Sequence, residues 1–576
     1  GGPGERGPDR SAPWTVVSAK TQGVTPGFNV RDARGDTYLI KFDPPGGLGA
    51  STCAGVVSGL LLHAAGYNVP VDATVTFRRQ NLVLGEGVKI RVKDGSRREM
   101  TEADLDAILE AVDRLPNGRW FAISSKFLSG TPVGPFNFIG RRADDPNDLI
   151  PHEDRRELRG LEIFCAWLNH FDTKQHNTLD MYVTEDGRSF LRHYLIDFAS
   201  TLGMGANGAK ARYGYEYTID VPAIFGRTFS LGFHESTWRR LENDPALTQV
   251  GFYSATHWDL LELKPLQPNS DFANMTGDDG YWAAKIITAF RDEHIDAVVG
   301  RAGYTDPASA EHIPEVLKRR RDRIGRVFLD AIAPLEFFTY ADGRLRFRDL
   351  GAERGIYPDN FPLYEVRGRR VDDDRDGGAW TAWTPVAGAS IPLAEGPLAL
   401  VWAASGDGLP FVALEVRVAQ RLRHAPPPEP PWPRLILHAA ARTMPAWPQE
   451  ASNTAGFGPS SLSCRPPQNR RGNLGRQALA LRAQIRLGRL HFRRQFLLRL
   501  LHAQVRALPR RAERCSLLVP PLLPHRLVRL INLCPRPAQG IFVLRGLRCR
   551  RGQRLVGRLL GACRRLVPCV EHPPHR

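Results

Sequence analysis

The sequence predicts an α+β fold that is bilobal, a strand-rich lobe followed by a helix-rich one, with a small β domain appended and a low-order basic tail at the C-terminus. Three observations predict it. Short apolar runs broken by turn residues fill roughly the first 130 residues. Apolar residues at helical spacing dominate from about residue 150 to 331. From Arg421 onward acids almost vanish and regular periodicity is lost.

At 576 residues the chain is too long for one core, so several domains are expected. The boundaries read as a flexible N-terminus (1–13), a small lobe (14–130), a large lobe (131–335), a β-rich domain (336–420) and an Arg/Pro/Leu-rich tail (421–576). No apolar run approaches the roughly 18 residues of a membrane helix, so no span is expected. The chain opens Gly-Gly-Pro-Gly without a methionine, as a processed product, a fragment or an interrupted reading frame would. A removed signal peptide is compatible with that start, and the compartment cannot be read from it.

Element by element, Trp14–Ser18 reads as a strand, and Gly27–Arg31 with Thr37–Phe42 as a hairpin closed around Ala33–Asp36. Val56, Val57, Leu60, Leu61 and Ala64 then recur at helical spacing, with Gly66 as the stop signal. Val75–Phe77, Leu82–Leu84 and Lys89–Val92 read as strands, Glu102–Asp113 as a short helix, and "WFAISSKFL" as a strand ending near Lys126. In "IPHEDRRELRGLEIFCAWLNH" one helix is expected, with Leu158, Leu161, Phe164, Cys165 and Leu168 on one face. A hairpin, Met181–Val183 and Phe190–Asp197 around Glu185-Asp186-Gly187, comes next, then helices over Gly280–Val299 and Ala310–Ala331. Short strands return over residues 336–420.

The formal charge of +17 is unevenly spread. The tail holds 30 arginines, no lysine, four glutamates and no aspartate, a net +26, which leaves −9 for the first 420 residues. A basic tail can grip phosphates, but this one lacks the interleaved aromatics of a single-strand binder. A disordered tail or an out-of-frame translation explains the composition more simply, and nucleic acid is not an expected partner. Cys53 and Cys165 are the only cysteines outside the tail, and no C-x-x-C pair occurs.

The chemistry concentrates in "NHFDTKQHNTLDMYV", Asn169–Val183. Phosphoryl transfer from ATP needs a lysine on the phosphates, a carboxylate near the attacking hydroxyl, and an asparagine and a second aspartate on magnesium. Lys41 on a strand, Asp172 and Asn177 after a helix, and Asp197 at a strand end in "YLIDFAS" supply these groups in workable order. "DTKQHN" resembles the protein-kinase catalytic loop Asp-x-x-x-x-Asn, and "DFA" at Asp197–Ala199 is similar to Asp-Phe-Gly.

With "GDTYLIKF" and "QGVTPGF", these motifs resemble the atypical, protein-kinase-like superfamily, in its HipA and phosphatidylinositol-kinase branch, as a bacterial-type member. The likeness runs from Trp14 to Ala331. It implies a phosphotransferase that uses ATP and Mg2+ on a hydroxyl acceptor, preferably a protein Ser/Thr. It further implies that Gly23 and Gly27 border the triphosphate, that Lys41 pairs with its α/β oxygens and that Lys126 marks the adenine hinge. Asp172 would be the catalytic aspartate, Lys174 would neutralise the transferring phosphoryl, and Asn177 and Asp197 would hold the metal.

One part departs from that pattern. No glutamate occurs between Lys41 and Glu86, and Gly55 stands where the helix should offer one. Another carboxylate such as Asp43 substitutes, or the chain is a catalytically impaired pseudokinase acting as a nucleotide-binding or scaffold protein, or the sequence carries an error at that point. Simpler readings stand beside each motif. His170, His176 and His193 lack the i, i+4 spacing of a helical metal pair. "GMGANG" at Gly203–Gly208 opens no helix and reads as the segment after Asp197 rather than a dinucleotide loop. Asp180 reads as a hairpin-side acid.

Overall fold

Period-two burial builds the N-terminal sheet. In the computed structural model β1 (Trp14–Ala19), β2 (Gly27–Arg31) and β3 (Thr37–Lys41) are antiparallel neighbours. Along β3 Tyr38 and Ile40 are buried, while Leu39 and Lys41 turn to the opposite face. The structure describes residues 7–20, 25–91, 96–230, 235–329, 334–356, 364–371, 377–403, 411–418 and 434–438. Gly23 and nearly all of the tail lie outside them. Asp32 ties the β2–β3 turn by accepting from the backbone N–H groups of Asp9, Arg34 and Asp36.

Helix α1 (Ala50–Ala64) is buried on every face from Ala50 to Leu62. Its small and apolar composition permits this, since it lies between the sheet and a layer of helices. Gly49 starts it in the left-handed region at φ 84° with no side-chain cap. The Asp43 carboxylate serves instead, accepting from the N–H groups of Gly49 (2.9 Å) and Thr52 (2.7 Å).

β4 (Asp72–Phe77), β5 (Leu82–Leu84), the exposed ribbon of β6 (Lys89–Arg91) and β7 (Arg97–Glu99), α2 (Glu102–Glu110) and β8 (Trp120–Lys126) complete this part. The six-stranded order is β4-β8-β3-β2-β1-β5, antiparallel except for β1 with β5. A capping box of Thr101 and Asp104 starts α2. Its Leu105 and Leu109 close a core with Trp14, Phe28, Phe77 and Trp120.

β9 (Thr131–Gly134) then leads to α3 (Arg156–Arg159) and α4 (Leu161–Leu168). The single helix expected here is two, divided at Gly160, where the Trp282 ring packs on the backbone 2.8 Å from where a Cβ would stand. The hairpin of β10 (Thr178–Glu185) and β11 (Arg188–Leu195) turns through Asp186 and Gly187, both at positive φ (50° and 73°). Asp-Gly suits that turn.

The remaining helices are α5 (Val221–Phe229), α6 (Ser270–Ala273), α7 (Gly277–Ile287), α8 (Asp292–Ala302) and α9 (Pro307–Phe328). The one helix expected over 280–299 is two, because Asp292 and Glu293 favour the start of a new helix through its dipole. Arg320 of α9 is fully buried, donates to the carbonyls of Ala166 and Ser254, and lies over the Tyr253 and Trp258 rings. It fixes the end of α4 from below.

Residues from 335 form a three-stranded sheet of β12 (Leu335–Ala341), β13 (Arg344–Asp349) and β16, and a four-stranded one of β14, β15, β17 and β18, with short helices α10 (Leu350–Glu353) and α11 (Gly396–Ala403). The later strands are β14 (Tyr364–Val371), β15 (Thr384–Val386), β16 (Ser390–Pro392), β17 (Phe411–Val418) and β18 (Arg434–His438). They carry a hydrophobic cluster of their own. β18, from beyond Arg421, pairs with β17. Among the described residues no helix is long and apolar enough to cross a membrane.

Candidate active site

The loop after α4 begins with Asn169 in the left-handed region at φ 50°, a C-terminal conformation that asparagine accepts. His170 follows, buried, its ring edge-on to Phe198 at 5.8 Å and its Nδ1 3.3 Å from the Ser200 carbonyl. Burial pushes its pKa below the ordinary imidazole value. His193 is engaged elsewhere, with Asp180 at 2.6 Å, so the three histidines of the metal reading are spoken for separately or exposed. Among the described residues no group of three His, Cys, Asp or Glu side chains forms a metal cluster.

Asp172 and Lys174 form an ion pair at 2.9 Å. Asn177 closes the loop, its Nδ2 donating to the Asp172 carbonyl at 2.7 Å, while its own carbonyl accepts from Ile196 N–H at 3.0 Å. The hairpin register sets Thr178 opposite Leu195, so the loop and the residues leaving β11 meet at the hairpin's open end. Asp197 stands two residues beyond Leu195. Its φ is 64°, a conformation costly for a non-glycine residue and met most often where the surrounding fold enforces it.

Lys41 reaches Asp197 across the chain, Nζ to Oδ1 at 2.8 Å. Half of the Asp197 side chain is open to solvent (49%). Burial alone would raise its pKa, but the Lys41 ammonium, with help from Lys20 and His170, holds it below the usual carboxylate value. Gly27 lies opposite Lys41 in the β2–β3 pair, and a Cβ there would fall 2.3 Å from the Ile40 carbonyl oxygen. Only glycine fits that approach.

Thus Lys41, Asp172, Lys174, Asn177 and Asp197 come together in one linked arrangement, with Gly27 beside it. Lys126 does not join them: it ends β8 opposite Tyr38, and its ammonium pairs with Asp36 at 2.7 Å. Gly23 lies outside the described residues. Asp43 is occupied at the start of α1 and gives Lys41 no partner. Asp180 is fully buried between Arg142 (2.9 Å) and His193.

Gly55 has a spatial reason. A Cβ there would stand 3.2 Å from Ile123 Cδ1 and 3.6 Å from the Ala199 nitrogen, and one at Gly59 would stand 3.4 Å from the Phe198 ring. α1 lies directly on the Phe198–Ala199 segment, so a side chain at Gly55 would have to push Ile123 aside.

Two residues escaped the sequence reading. Lys20, at the end of β1, donates to Thr25 beside this site, and burial together with Lys41 lowers its pKa. Its place just before the glycine-bearing turn was a usable signal. Asp72 lies near Lys41 and Asp197, and no sequence spacing links it to either. A cavity of about 660 Å³ opens alongside, lined by Thr25, Pro26, Pro44, Gly46, Met204 and Asn207. "GMGANG" thus contributes to a cavity wall.

No family model matches this chain, and no curated protein matches it in sequence. Among solved structures it is similar to the Helicobacter pylori proinflammatory kinase CtkA, at 11% identity and TM-score 0.29, over 54% of this chain and 92% of that one. It is similar also to the Golgi casein kinase with Mn/ADP bound (10%, TM-score 0.27, 55% and 73%). A third is the Rio2 kinase–ADP/Mg2+–phosphoaspartate complex from Chaetomium thermophilum (13%, TM-score 0.21, 54% and 72%). At these identities and TM-scores the likeness assigns neither family nor activity.

Proposed function

We propose that residues 14–331 form a bilobal, protein-kinase-like phosphotransferase of the HipA and phosphatidylinositol-kinase type, moving the ATP γ-phosphate to a hydroxyl, preferably of a protein Ser/Thr. The observation that carries this reading is that Lys41 of β3 bonds Asp197 just after β11, while Asn177 bonds Asp172 and receives the backbone N–H of Ile196, the residue before Asp197. Charge placement of this kind is most of what phosphoryl transfer asks of a protein.

The oxygen chemistry fits magnesium. Asn177 spends its NH2 group on the Asp172 carbonyl, leaving its amide oxygen as a donor, and Asp197 adds a solvent-reached carboxylate. When bound there, the metal supplies charge neutralisation to the phosphates. Lys41 and Lys20 would then hold phosphate oxygens. Asp172 accepts the proton of the acceptor hydroxyl, and Lys174 beside it balances charge on the transferring group.

A second reading keeps nucleotide binding without transfer. The bare face of α1 at Gly55 favours it, since no helix acid orients Lys41. One experiment separates the two: magnesium-dependent ATP binding and phosphotransfer by the full chain, against Asp172→Ala and Asp197→Ala. Transfer by the natural chain that both variants lose supports the enzyme, and binding with no transfer supports the silent form. Absence of any ATP binding overturns both.

A further inference from the structure

Asp197 faces two cationic claims. The lysine that would hold phosphates is bonded to it, and the magnesium ion would need the same carboxylate. If the metal takes Asp197, Lys41 gives up the one ion pair it makes among the described residues, and until phosphates arrive its ammonium on a long stem samples many positions rather than one. Some other acid must steady it, and neither α1 nor Asp43 can.

Asp72 stands where that acid is required. It is opposite Ser125 of β8, whose other neighbour is Leu39 of β3, and two positions along the same face Ile123 pairs with Lys41. Lys41 and Asp72 therefore lie on one face of the sheet, two strands apart and two positions along, about 12 Å between their Cα atoms. A lysine stem and an aspartate side chain bridge that gap between them. Asp72 Oδ1 is sealed from solvent with no hydrogen-bond partner, and Oδ2 lies 3.8 Å from the Cβ position of Gly59 on α1. Burial pushes the carboxyl up to about 6 against the opposing pull of Ser125 and Lys41, while Asp197 adds to the rise. An acid buried with an empty oxygen costs stability unless something comes to meet it.

We propose that Asp72 is the positioning residue for Lys41: its unpartnered Oδ1 receives the Lys41 ammonium once Asp197 is engaged by metal, in place of a helix glutamate. This rests on the phosphotransferase reading above. It also accounts for the two glycines of α1, because an acid from β4 leaves the helix free to lie directly on Phe198 and Ala199.

The test is a double-mutant cycle on Mg-ATP affinity in the full chain, with Asp72→Asn, Lys41→Met and the pair, alongside the melting temperature of each without nucleotide. Asp72→Asn is expected to weaken binding ~10-fold when Lys41 is present and by less than about twofold in the Lys41→Met background. Its nucleotide-free melting temperature should be equal or higher, since an unpaired buried carboxyl has been removed. Equal losses in both backgrounds, no loss in either, or a lowered melting temperature would overturn the proposal while leaving the phosphotransferase reading intact. Failure of the natural chain to bind Mg-ATP would overturn that reading, and this inference with it.

Discussion

Two charged clusters lie on the same β10–β11 hairpin and are built on opposite terms. On its flank, Asp180 is fully buried and saturated, held by Arg142 at 2.9 Å and His193 at 2.6 Å, while Asp148 nearby takes His152 at 2.8 Å and Arg155. At the open end, Asp197 has left-handed φ, one lysine and half its side chain in solvent, with Asp72 beside it unpaired at one oxygen. Complete partnering marks an acid that holds the fold, and an incomplete set at a strained residue marks one that awaits a ligand.

The contrast breaks most sharply under substitution. Asp197→Asn should lower phosphotransfer by ~1,000-fold, of the size seen when phosphate-stabilising groups are removed, with little change in melting temperature; transfer of labelled phosphate and a thermal melt measure the two together. Asp180→Ala should do the reverse. Stripping one partner from a buried ion pair costs about 3 kcal/mol in a denaturant titration, and the protein that remains folded should bind nucleotide as before. Equal effects of the two substitutions on nucleotide binding would erase the distinction.

Glu162 sharpens the comparison as a half-buried acid outside both clusters, with desolvation raising its carboxyl to about 8. A folded value above the unfolded one means the folded state binds the extra proton, so stability should be full at low pH and fall as pH rises from about 4.5 through about 8. Glu162→Gln should flatten that slope and stabilise the protein by about 2 kcal/mol near pH 8, with little change near pH 4, as followed by urea unfolding across pH. The smallest effect belongs to Lys126, whose pair with Asp36 is partly open to solvent. Lys126→Ala should change stability by less than about 0.5 kcal/mol and nucleotide affinity less than about threefold, and a larger loss of affinity would return Lys126 to the nucleotide site.

Local pattern made much of this legible. Alternation in "TYLIK", the Asp-Gly turn after Glu185 and the helical spacing around Val56 and Leu60 each encode an element through nearest neighbours. The loop of Asp172, Lys174 and Asn177 was legible for the same reason, being six contiguous residues, and Lys41 and Asp197 were found by type and order. Breaks caused from a distance were not. Trp282 packs against the backbone of Gly160 from far along the chain, and the pairing of Lys126 depends on a turn at Asp36.

The sequence by itself determined which residue types stand at the ends of which elements, because periodicity and turn chemistry act within a few residues. The partners were decided by tertiary structure alone. Strand order set Asp72 on the face of Lys41, the hairpin register brought Ile196 to Asn177, and the packing of α1 on Ile123 and Ala199 crowded the place of a side chain at Gly55. Contacts between residues far apart in the chain follow from strand order and packing, which one-dimensional spacing does not record.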